Sequence, residues 1–154
     1  LVGDIAVKRG YIKTAYGSHA RLKNPNKKYT MLNRYTQGTG SECLKLSIVN
    51  AYKEGLWEKL NVVNTVHDEL NMDVPSTEES IRNCYRMAQI MRTAMPNLRV
   101  PLEAEPEFGV NWAETKTVDE WIEIKENSPA KWKKVPVDLV QAVENALKVR
   151  EEYK

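Results

Sequence analysis

The chain has 154 residues, of which 29% are charged and 42% hydrophobic, a composition typical of one soluble globular domain rather than of a disordered or membrane-embedded chain. The net charge of +2 is too small to indicate a nucleic-acid partner by itself, so any basic surface must be local. The sequence shows neither a signal peptide nor an apolar run long enough to cross a bilayer, and we expect a cytoplasmic protein without membrane contact. Because the first residue is Leu1 rather than Met, we also expect a fragment or a processed chain.

The two cysteines of the sequence are Cys43 and Cys84. They are far apart and show none of the paired spacings that metal sites and redox motifs use. Both fall in stretches of helical character, so we expect buried free thiols in a reducing compartment.

The N-terminal third of the chain predicts a ribbon, a loop and a helix. Residues 11–22 are typical of a short hairpin around Gly17, and residues 23–30 of a polar, basic, turn-rich loop. From about residue 35 to residue 56, apolar residues recur at helical spacing. The glycines of "QGTGS" loosen the first turn of this helix and let another backbone come close.

A change to alternating periodicity marks the middle of the chain. Apolar and polar residues alternate on both sides of the acidic tripeptide at 67–69, which predicts an antiparallel hairpin with the tripeptide at or beside its turn. Pro75 ends the second strand, and Ser76 with Glu79 is expected to form a capping box for the next helix. Pro96 stops that helix.

The C-terminal part predicts one more strand and two helices. "RVPLEAEPEFG" is typical of a strand, with Pro106 favouring an edge position or a strand end. "TVDEWIEIKE" predicts a short helix, "NSPAKWKKVP" a linker, and the residues after Pro136 a last helix whose apolar face needs a cover. Together these elements predict an α+β fold, with a small antiparallel sheet packed on long helices and an extra C-terminal helix.

The acidic turn has two possible meanings. A turn between two buried strands is a rigid place from which to aim a side chain. Asp68 there would suit Mg²⁺, which takes one or two protein carboxylates. In two-metal phosphoryl transfer the ions stabilise the attacking and the leaving oxygens, and one such turn supplies half of the site. An acidic surface turn without function is the commoner origin of such a tripeptide, so the tripeptide alone leaves both interpretations open.

Four stretches in order extend the interpretation beyond the turn: "GYIKTAYG", "NRYTQGTGSECLK", "VHDELNMDVP" and "VPLEAEPEFGVNW". In sequence and spacing they resemble the C-terminal half of the polymerase domain of family A DNA polymerases, the group of bacterial DNA polymerase I and several phage replicases. The resemblance covers residues from about 10 to about 116. It implies that residues 1–116 are the C-terminal part of a polymerase palm, and it leaves residues 117–154 as a helical extension of unknown role.

The resemblance assigns roles at the acidic turn. Asp68 falls on the family's metal-binding aspartate, which implies Mg²⁺ as the cofactor. Glu69 matches the neighbouring acid that supports the site, and His67 matches the residue that lies against the primer terminus. For His67 taken alone, a histidine packed beside a turn remains the alternative.

The resemblance also implies contacts with DNA. Asn33 and Gln37 match positions that contact the duplex near the insertion site, where minor-groove acceptors common to all base pairs let an amide check pair shape. Without the family, a helix cap or a solvated turn is the preferred explanation for them. Lys45 matches a lysine that could meet a phosphate, although a surface lysine is an equal account, and Trp112 is expected to pack the end of the palm. Phosphate contacts that carry no sequence information are expected from four further basic side chains: Arg21, Lys27, Lys28 and Arg34.

The sequence departs from the family pattern at several positions. Ser18 and His19 stand where the family often has consecutive arginines, Tyr29 replaces an arginine, and Glu42 stands where an aspartate is usual. These changes put the details of the template and primer contacts in doubt.

The resemblance implies template-directed addition of deoxynucleoside triphosphates to a primer 3′ end. The family's other catalytic aspartate and its fingers helix would lie upstream of Leu1, so we expect the chain to need an upstream polymerase segment, in cis or as a separate chain, and to be inactive alone. A non-catalytic DNA- or replisome-binding module that has kept the palm shape is the alternative. A metal-dependent nuclease would need more acids near Asp68, and Asp73 is the nearby candidate.

Overall fold

The computed structural model describes residues 2–153, and its N-terminal part is a helix followed by a short ribbon. Helix α1 (Val2–Arg9) leads into strands β1 (Tyr11–Lys13) and β2 (His19–Arg21), which pair antiparallel. Gly17, with φ at +105°, lets the chain reverse between the strands. The predicted ribbon around this glycine is therefore confirmed.

Helix α2 (Thr30–Lys53) starts more than one turn earlier than the sequence predicted. Its first turn is stabilised by Met31, which is fully buried in a cluster with Ala6 and Ile12. The helix ends where Gly55 adopts a left-handed conformation, with φ at +66°. The long helix thus lies against α1 and the ribbon at its N-terminal end.

Strands β3 (Val62–Val66) and β4 (Glu69–Met72) form the second antiparallel pair. The last pair of the ladder is Val66 with Glu69, so the turn between them has two residues. A register shift near Val63 bends the hairpin at the end opposite the turn. The predicted hairpin with the acidic tripeptide at its turn is confirmed.

Helix α3 (Glu78–Thr93) follows the hairpin and has a different cap from the predicted one. The prediction of a capping box formed by Ser76 and Glu79 is wrong, because the helix starts one residue later than that box requires. Thr77 is the N-cap, with extended backbone angles, and its side-chain oxygen accepts a hydrogen bond of 3.2 Å from the backbone N–H of Ser80.

The strand predicted after α3 is also wrong. Residues 99–107 form no strand in the described chain, and an isolated antiparallel bridge joins Phe108 to Lys116. Pro101 and Pro106 lack the N–H that a ladder needs, and the described residues place no strand beside this segment.

The C-terminal residues form three helices: α4 (Val118–Asn127), α5 (Pro129–Trp132) and α6 (Val137–Val149). The first and last were predicted, whereas the short α5 occupies the predicted linker. A capping box of Thr117 and Glu120 starts α4.

The largest buried cluster joins α3 to the C-terminal helices. Ile81 and Tyr85 of α3 pack with Leu139, Val143 and Ala146 of α6. The apolar face of α6 is therefore covered by this same chain rather than left for a second polypeptide. The division of the chain into two domains stays a prediction.

Across residues 2–153, six α-helices and two separate two-stranded antiparallel sheets confirm the predicted α+β fold class. No helix in this described range is long and apolar enough to span a membrane. Both cysteines are free: Cys84 is buried and Cys43 half-buried. Burial raises the pKa of the Cys84 thiol to about 11, so this thiol is protonated at neutral pH.

Candidate active site

The acidic tripeptide lies at an exposed hairpin tip. His67 and Asp68 are the two turn residues, Glu69 is the first residue of β4, and all three are exposed. His67 has φ at +54°, a left-handed conformation that costs free energy for any side chain but that histidine tolerates better than most residues. The tripeptide is therefore displayed by the backbone rather than buried by it.

Apolar contacts at the base of the hairpin fix the position of this tip. Leu70 and Met72 of β4, with Val62 of β3, pack against a buried cluster that includes Leu60 and Met87. Because the strands are anchored on α2 and α3, the turn projects from a rigid support.

The acidic side chains at the tip are free to bind a ligand. Neither Asp68 nor Glu69 forms a salt bridge or a side-chain hydrogen bond with any described residue. An exposed carboxylate without a partner can accept a cation without first breaking an internal contact. Its hard oxygens suit Mg²⁺.

The tip by itself supplies only part of a metal site. In the described part of the chain, no three His, Cys, Asp or Glu side chains converge to hold a metal ion. Asp73 follows β4 at the opposite end of the hairpin, roughly 16 Å from Asp68 for five extended residues. The donor set therefore fits one ligand of Mg²⁺, with the remaining ligands coming from elsewhere.

Helix α2 carries a polar stripe along its exposed side. Asn33, Gln37, Ser41 and Lys45 follow at intervals of four residues, and all four are exposed. Residues at this spacing share one face of a helix, and the stripe is about 18 Å long. The structure thus brings three sequence-predicted residues, Asn33, Gln37 and Lys45, onto one surface.

A cleft of about 220 Å³ lies between the ribbon and this face of α2. His19, Arg34 and Lys45 line it together with the hydroxyl-bearing Ser18 and Ser41. Three basic or protonatable side chains and two hydroxyls are the groups that bind phosphate oxygens in protein–DNA contacts.

The remaining predicted phosphate contacts lie on the ribbon and on the loop before α2. Arg34 donates a hydrogen bond of 2.9 Å to the carbonyl of Arg21. Lys27 belongs to a 3₁₀ turn, and Lys28 pairs with Asp4 at 2.7 Å, although both partners remain exposed. The structure places these side chains near the cleft's helix but pairs Lys28 within the fold.

Basic charge is concentrated at this end of the sequence. Residues 1–34 contain eight basic residues and one acidic residue, a net +7, whereas residues 35–154 contain fifteen basic and twenty acidic residues, a net −5. The small net charge of the whole chain therefore conceals a local basic segment. Such a segment is what a nucleic-acid partner would require, given the small total.

Glu42 is a structural residue of the cleft that sequence reasoning missed. It is 8% exposed, and its carboxylate accepts hydrogen bonds from the Thr14 hydroxyl at 2.7 Å and from the Tyr16 backbone N–H at 3.3 Å. Burial alone would raise the pKa of Glu42, but hydrogen bonds from Ser18, Thr14 and Tyr16 outweigh it and lower the pKa below its usual range. The sequence signal that could have indicated its burial is its spacing of eleven residues, about three helical turns, from the apolar Met31 on the same helix.

Gly38 allows the ribbon to approach α2. A Cβ at this position would lie 2.9 Å from the Cγ2 of Thr14, whereas a Cβ at Gly40 would meet open space. The prediction that a glycine here admits another segment closely is confirmed for Gly38, although that glycine lies inside the helix rather than in its first turn.

The expectation that Trp112 packs the end of the fold is wrong. Its side chain is 56% exposed in a 3₁₀ turn that the Asn111 side chain caps. The buried indole belongs instead to Trp121, whose Nε1–H donates a hydrogen bond of 2.8 Å to the carbonyl of Phe108. Trp121 and Val118 of α4 lie in one buried cluster with Phe108, which brings the indole close to the Phe108 carbonyl.

Comparison with known proteins places the chain in a family. The model of the family described as DNA polymerase family A matches residues 2–114. DNA polymerase I of Caldicellulosiruptor bescii is 31% identical over 115 residues, which cover 71% of this chain and 13% of that protein. The thermostable DNA polymerase I of Thermus aquaticus is 28% identical over 118 residues, 71% of this chain and 14% of the relative.

DNA polymerase I of Borreliella burgdorferi is similar to the same extent, with 28% identity over 112 residues, 71% of this chain and 12% of the relative. The match thus spans about one seventh of the length of these relatives or less. No solved structure was found to match the chain. On the family match over most of its length, the chain belongs to family A of the DNA polymerases.

Proposed function

We propose that this chain supplies one part of a template-directed DNA polymerase that adds deoxynucleotides to a primer 3′ end. The observation that carries the proposal is the rigid, exposed hairpin tip, where Asp68 and Glu69 have no partner among the described residues. Family membership supplies the reaction class, nucleotidyl transfer to DNA. In this proposal residues 1–116 are the C-terminal portion of the polymerase palm, and the reaction takes place in the cytoplasm.

Each residue of the tip has a role in this proposal. Asp68 would hold Mg²⁺ through its carboxylate, and Glu69 would support that site from the first position of β4. Bound Mg²⁺ would stabilise the charge that develops on the attacking and leaving oxygens of the transfer. His67 would donate a hydrogen bond to the primer backbone from the exposed turn, where it directly precedes Asp68 in the chain.

Primer–template DNA would lie along the polar stripe of α2. Asn33 and Gln37 would contact the minor groove, where their amides can donate to acceptors that all base pairs share. Lys45 and the cleft beside it would bind phosphates, with further phosphate contacts along the basic N-terminal segment. The incoming deoxynucleoside triphosphate would bind between this chain and a segment outside it.

The proposed enzyme needs that further segment. One acidic tip offers at most two adjacent carboxylates, and no third metal-binding side chain joins them among the described residues. A second aspartate and the fingers helix would therefore come from an upstream polymerase segment, of the same polypeptide or of another. We propose that the 154-residue chain alone is inactive.

The non-catalytic DNA- or replisome-binding module is the second candidate, since the polar stripe alone would serve a binder. The test is primer extension by the chain alone and by the chain mixed with a polypeptide that carries the upstream aspartate and the fingers helix. Synthesis only in the mixture supports the polymerase. A mixture that forms a complex on primer–template yet extends nothing supports the binding module.

A matched pair of variants tests the metal role in the reconstituted enzyme. Asp68→Asn should lower extension at least a hundredfold while duplex affinity stays within about twofold, because the amide cannot neutralise a divalent cation. Asp73→Asn removes the same charge at the other end of the hairpin and should extend at the parental rate. Parental extension by Asp68→Asn would contradict the assignment.

A further inference from the structure

The C-terminal extension carries a compact basic turn that the polymerase assignment does not explain. Lys131 lies in α5, and Lys133 and Lys134 follow directly after it; all three are exposed. No acidic residue occurs from Asn127 to Val137 in the sequence. Lys125 of α4 joins them, with its Nζ 5.6 Å from the centre of the Trp132 ring. These four lysines are called the basic turn below.

The basic turn is held on a rigid base. Backbone hydrogen bonds of 3.0 Å run from Lys133 to Pro129 and from Lys134 to Lys131, so the turn is closed on itself. Trp132 packs against the buried cluster, with its ring centre 6.4 Å from that of Trp121. The backbone positions from which Lys131, Lys133 and Lys134 extend are therefore fixed on the surface.

The charges of the basic turn have no carboxylate partner among the described residues. None of its four lysines forms a salt bridge with a residue of the described range. The arginines between α3 and the C-terminal residues behave differently, since Arg82 pairs with Glu78 and Glu152, and Arg150 with Asp119. Ion pairing within the fold thus engages these arginines and leaves the lysines of the basic turn without a carboxylate.

We infer that the basic turn is a second DNA-binding surface, which contacts the phosphate backbone of duplex DNA apart from the polar stripe of α2. The inference rests on the proposed function in taking duplex DNA as the substrate of this chain. Three unpaired lysines within four residues complement a polyanion that carries one charge per about 1.7 Å of helix axis. Lys125 covers one face of the Trp132 ring, so the surface offers charge rather than base stacking. Binding there should be independent of sequence.

The test compares two variants of equal charge change in the full chain. Lys131→Gln/Lys133→Gln/Lys134→Gln removes three charges from the basic turn. The control variant, Lys53→Gln/Lys59→Gln/Lys148→Gln, removes three exposed lysines that do not form a cluster in sequence. Duplex affinity is measured by fluorescence anisotropy over a series of salt concentrations.

The slope of log affinity against log salt is negative, and each lost phosphate contact reduces its magnitude by about 0.9. We therefore expect the basic-turn variant to lose two to three from the slope magnitude and about tenfold in affinity at low salt. The control variant should keep both values, and a Lys→Arg triple at the basic turn should keep binding because it keeps the charge. All substitutions are at exposed positions, and an unchanged thermal midpoint checks that folding is intact.

Other outcomes would overturn the inference, and they are distinguishable from failure of the proposed function. A basic-turn variant that binds duplex like the parent, or a control that loses as much, removes the second surface. If binding depends on Asn33 and Gln37 but not on the basic turn, the proposed function stands and this inference falls. If the parent chain binds no duplex, this inference falls, whereas the proposed function is decided separately by primer extension in the mixture. Loss of binding to polyglutamate with unchanged DNA binding would assign the turn to an acidic protein partner instead.

Discussion

The hydroxyl of Thr14 donates a hydrogen bond of 2.7 Å to the buried carboxylate of Glu42 and fastens the β1–β2 ribbon to the middle of α2. The same carboxylate accepts from the backbone N–H of Tyr16. One side chain thus ties the ribbon to α2 beside the cleft that His19 and Lys45 line.

Replacing this carboxylate should loosen the ribbon. Glu42→Gln keeps the size of the side chain but puts an NH₂ group opposite one of its hydrogen-bond donors, so we expect the free energy of unfolding to fall by about 1–2 kcal/mol. Glu58→Gln, at an exposed glutamate, should change it by less than about 0.5 kcal/mol. Urea unfolding at pH 7 measures both, and equal values for the two variants would contradict a structural role of Glu42.

The stabilisation from Glu42 should depend on pH in a definite direction. Hydrogen bonds outweigh burial and lower the pKa of Glu42 from 4.5 in the folded chain, so the folded state favours the ionised form. The stabilisation is therefore complete above about pH 4.5 and is lost as pH falls through the lowered pKa. The difference in unfolding free energy between the parent and Glu42→Gln should shrink over that range, and a difference that grows on acidification would reverse the assignment.

Two glycines of α2 give a matched pair for the close approach of the ribbon. Gly38→Ala should lower the free energy of unfolding by about 1–3 kcal/mol, because its Cβ would lie 2.9 Å from Cγ2 of the buried Thr14. Gly40→Ala meets open space and should raise stability by about 0.5–1 kcal/mol, because alanine favours the helix. Thermal unfolding distinguishes the two signs, and stabilisation by both would mean that the ribbon is not in contact at Gly38.

Local patterns predicted the elements, and long-range contacts decided what the patterns left open. Alternation of apolar and polar residues on both sides of a polar junction predicted the hairpin. Its tip lies at the predicted residues. The bond between Thr14 and Glu42 spans 28 residues and has no local signature. The buried indole, Trp121, lies in a cluster with residues distant in sequence such as Tyr85, whereas Trp112 is 56% exposed.

The strand predicted after α3 is wrong for a similar reason, because long-range contacts decide whether a strand forms. Its alternation of apolar and acidic residues is typical of a strand, but a strand exists only where a neighbour supplies the ladder. The described residues place none there, and Pro101 and Pro106 weaken the segment further. The metal role of Asp68 stays a prediction. The exposure of its carboxylate shows that the group is available to a ligand but does not identify that ligand.

The contact between α3 and α6 predicts that the extension and the remainder unfold together. Leu139→Ala removes a side chain that is 5% exposed in the shared cluster and should lower the free energy of unfolding by about 2–5 kcal/mol. Amide hydrogen exchange in α3 should accelerate along with that in α6. Val137→Ala, at a side chain 82% exposed, should change neither by more than about 0.5 kcal/mol. Unchanged exchange in α3 would show that the extension folds on its own.

The left-handed turn residue predicts that stability and activity separate at position 67. Glycine adopts a φ of +54° without the steric cost that a side chain incurs, so His67→Gly should keep or raise the free energy of unfolding, by up to about 1 kcal/mol. Valine is branched at Cβ and should lower it by about 1–2 kcal/mol. Urea unfolding of the two variants checks the backbone conformation, and equal stabilities would contradict it.

The proposed contact with the primer gives the same variant an opposite effect on activity. His67→Gly would lose the imidazole donor, and one hydrogen bond of about 1.4 kcal/mol corresponds to a tenfold lower rate of primer extension in the reconstituted enzyme. A variant that is as stable as the parent but extends tenfold more slowly would mean that the imidazole is kept for the reaction at a cost to the fold. A variant that extends at the parental rate would leave histidine at this turn without a role in catalysis.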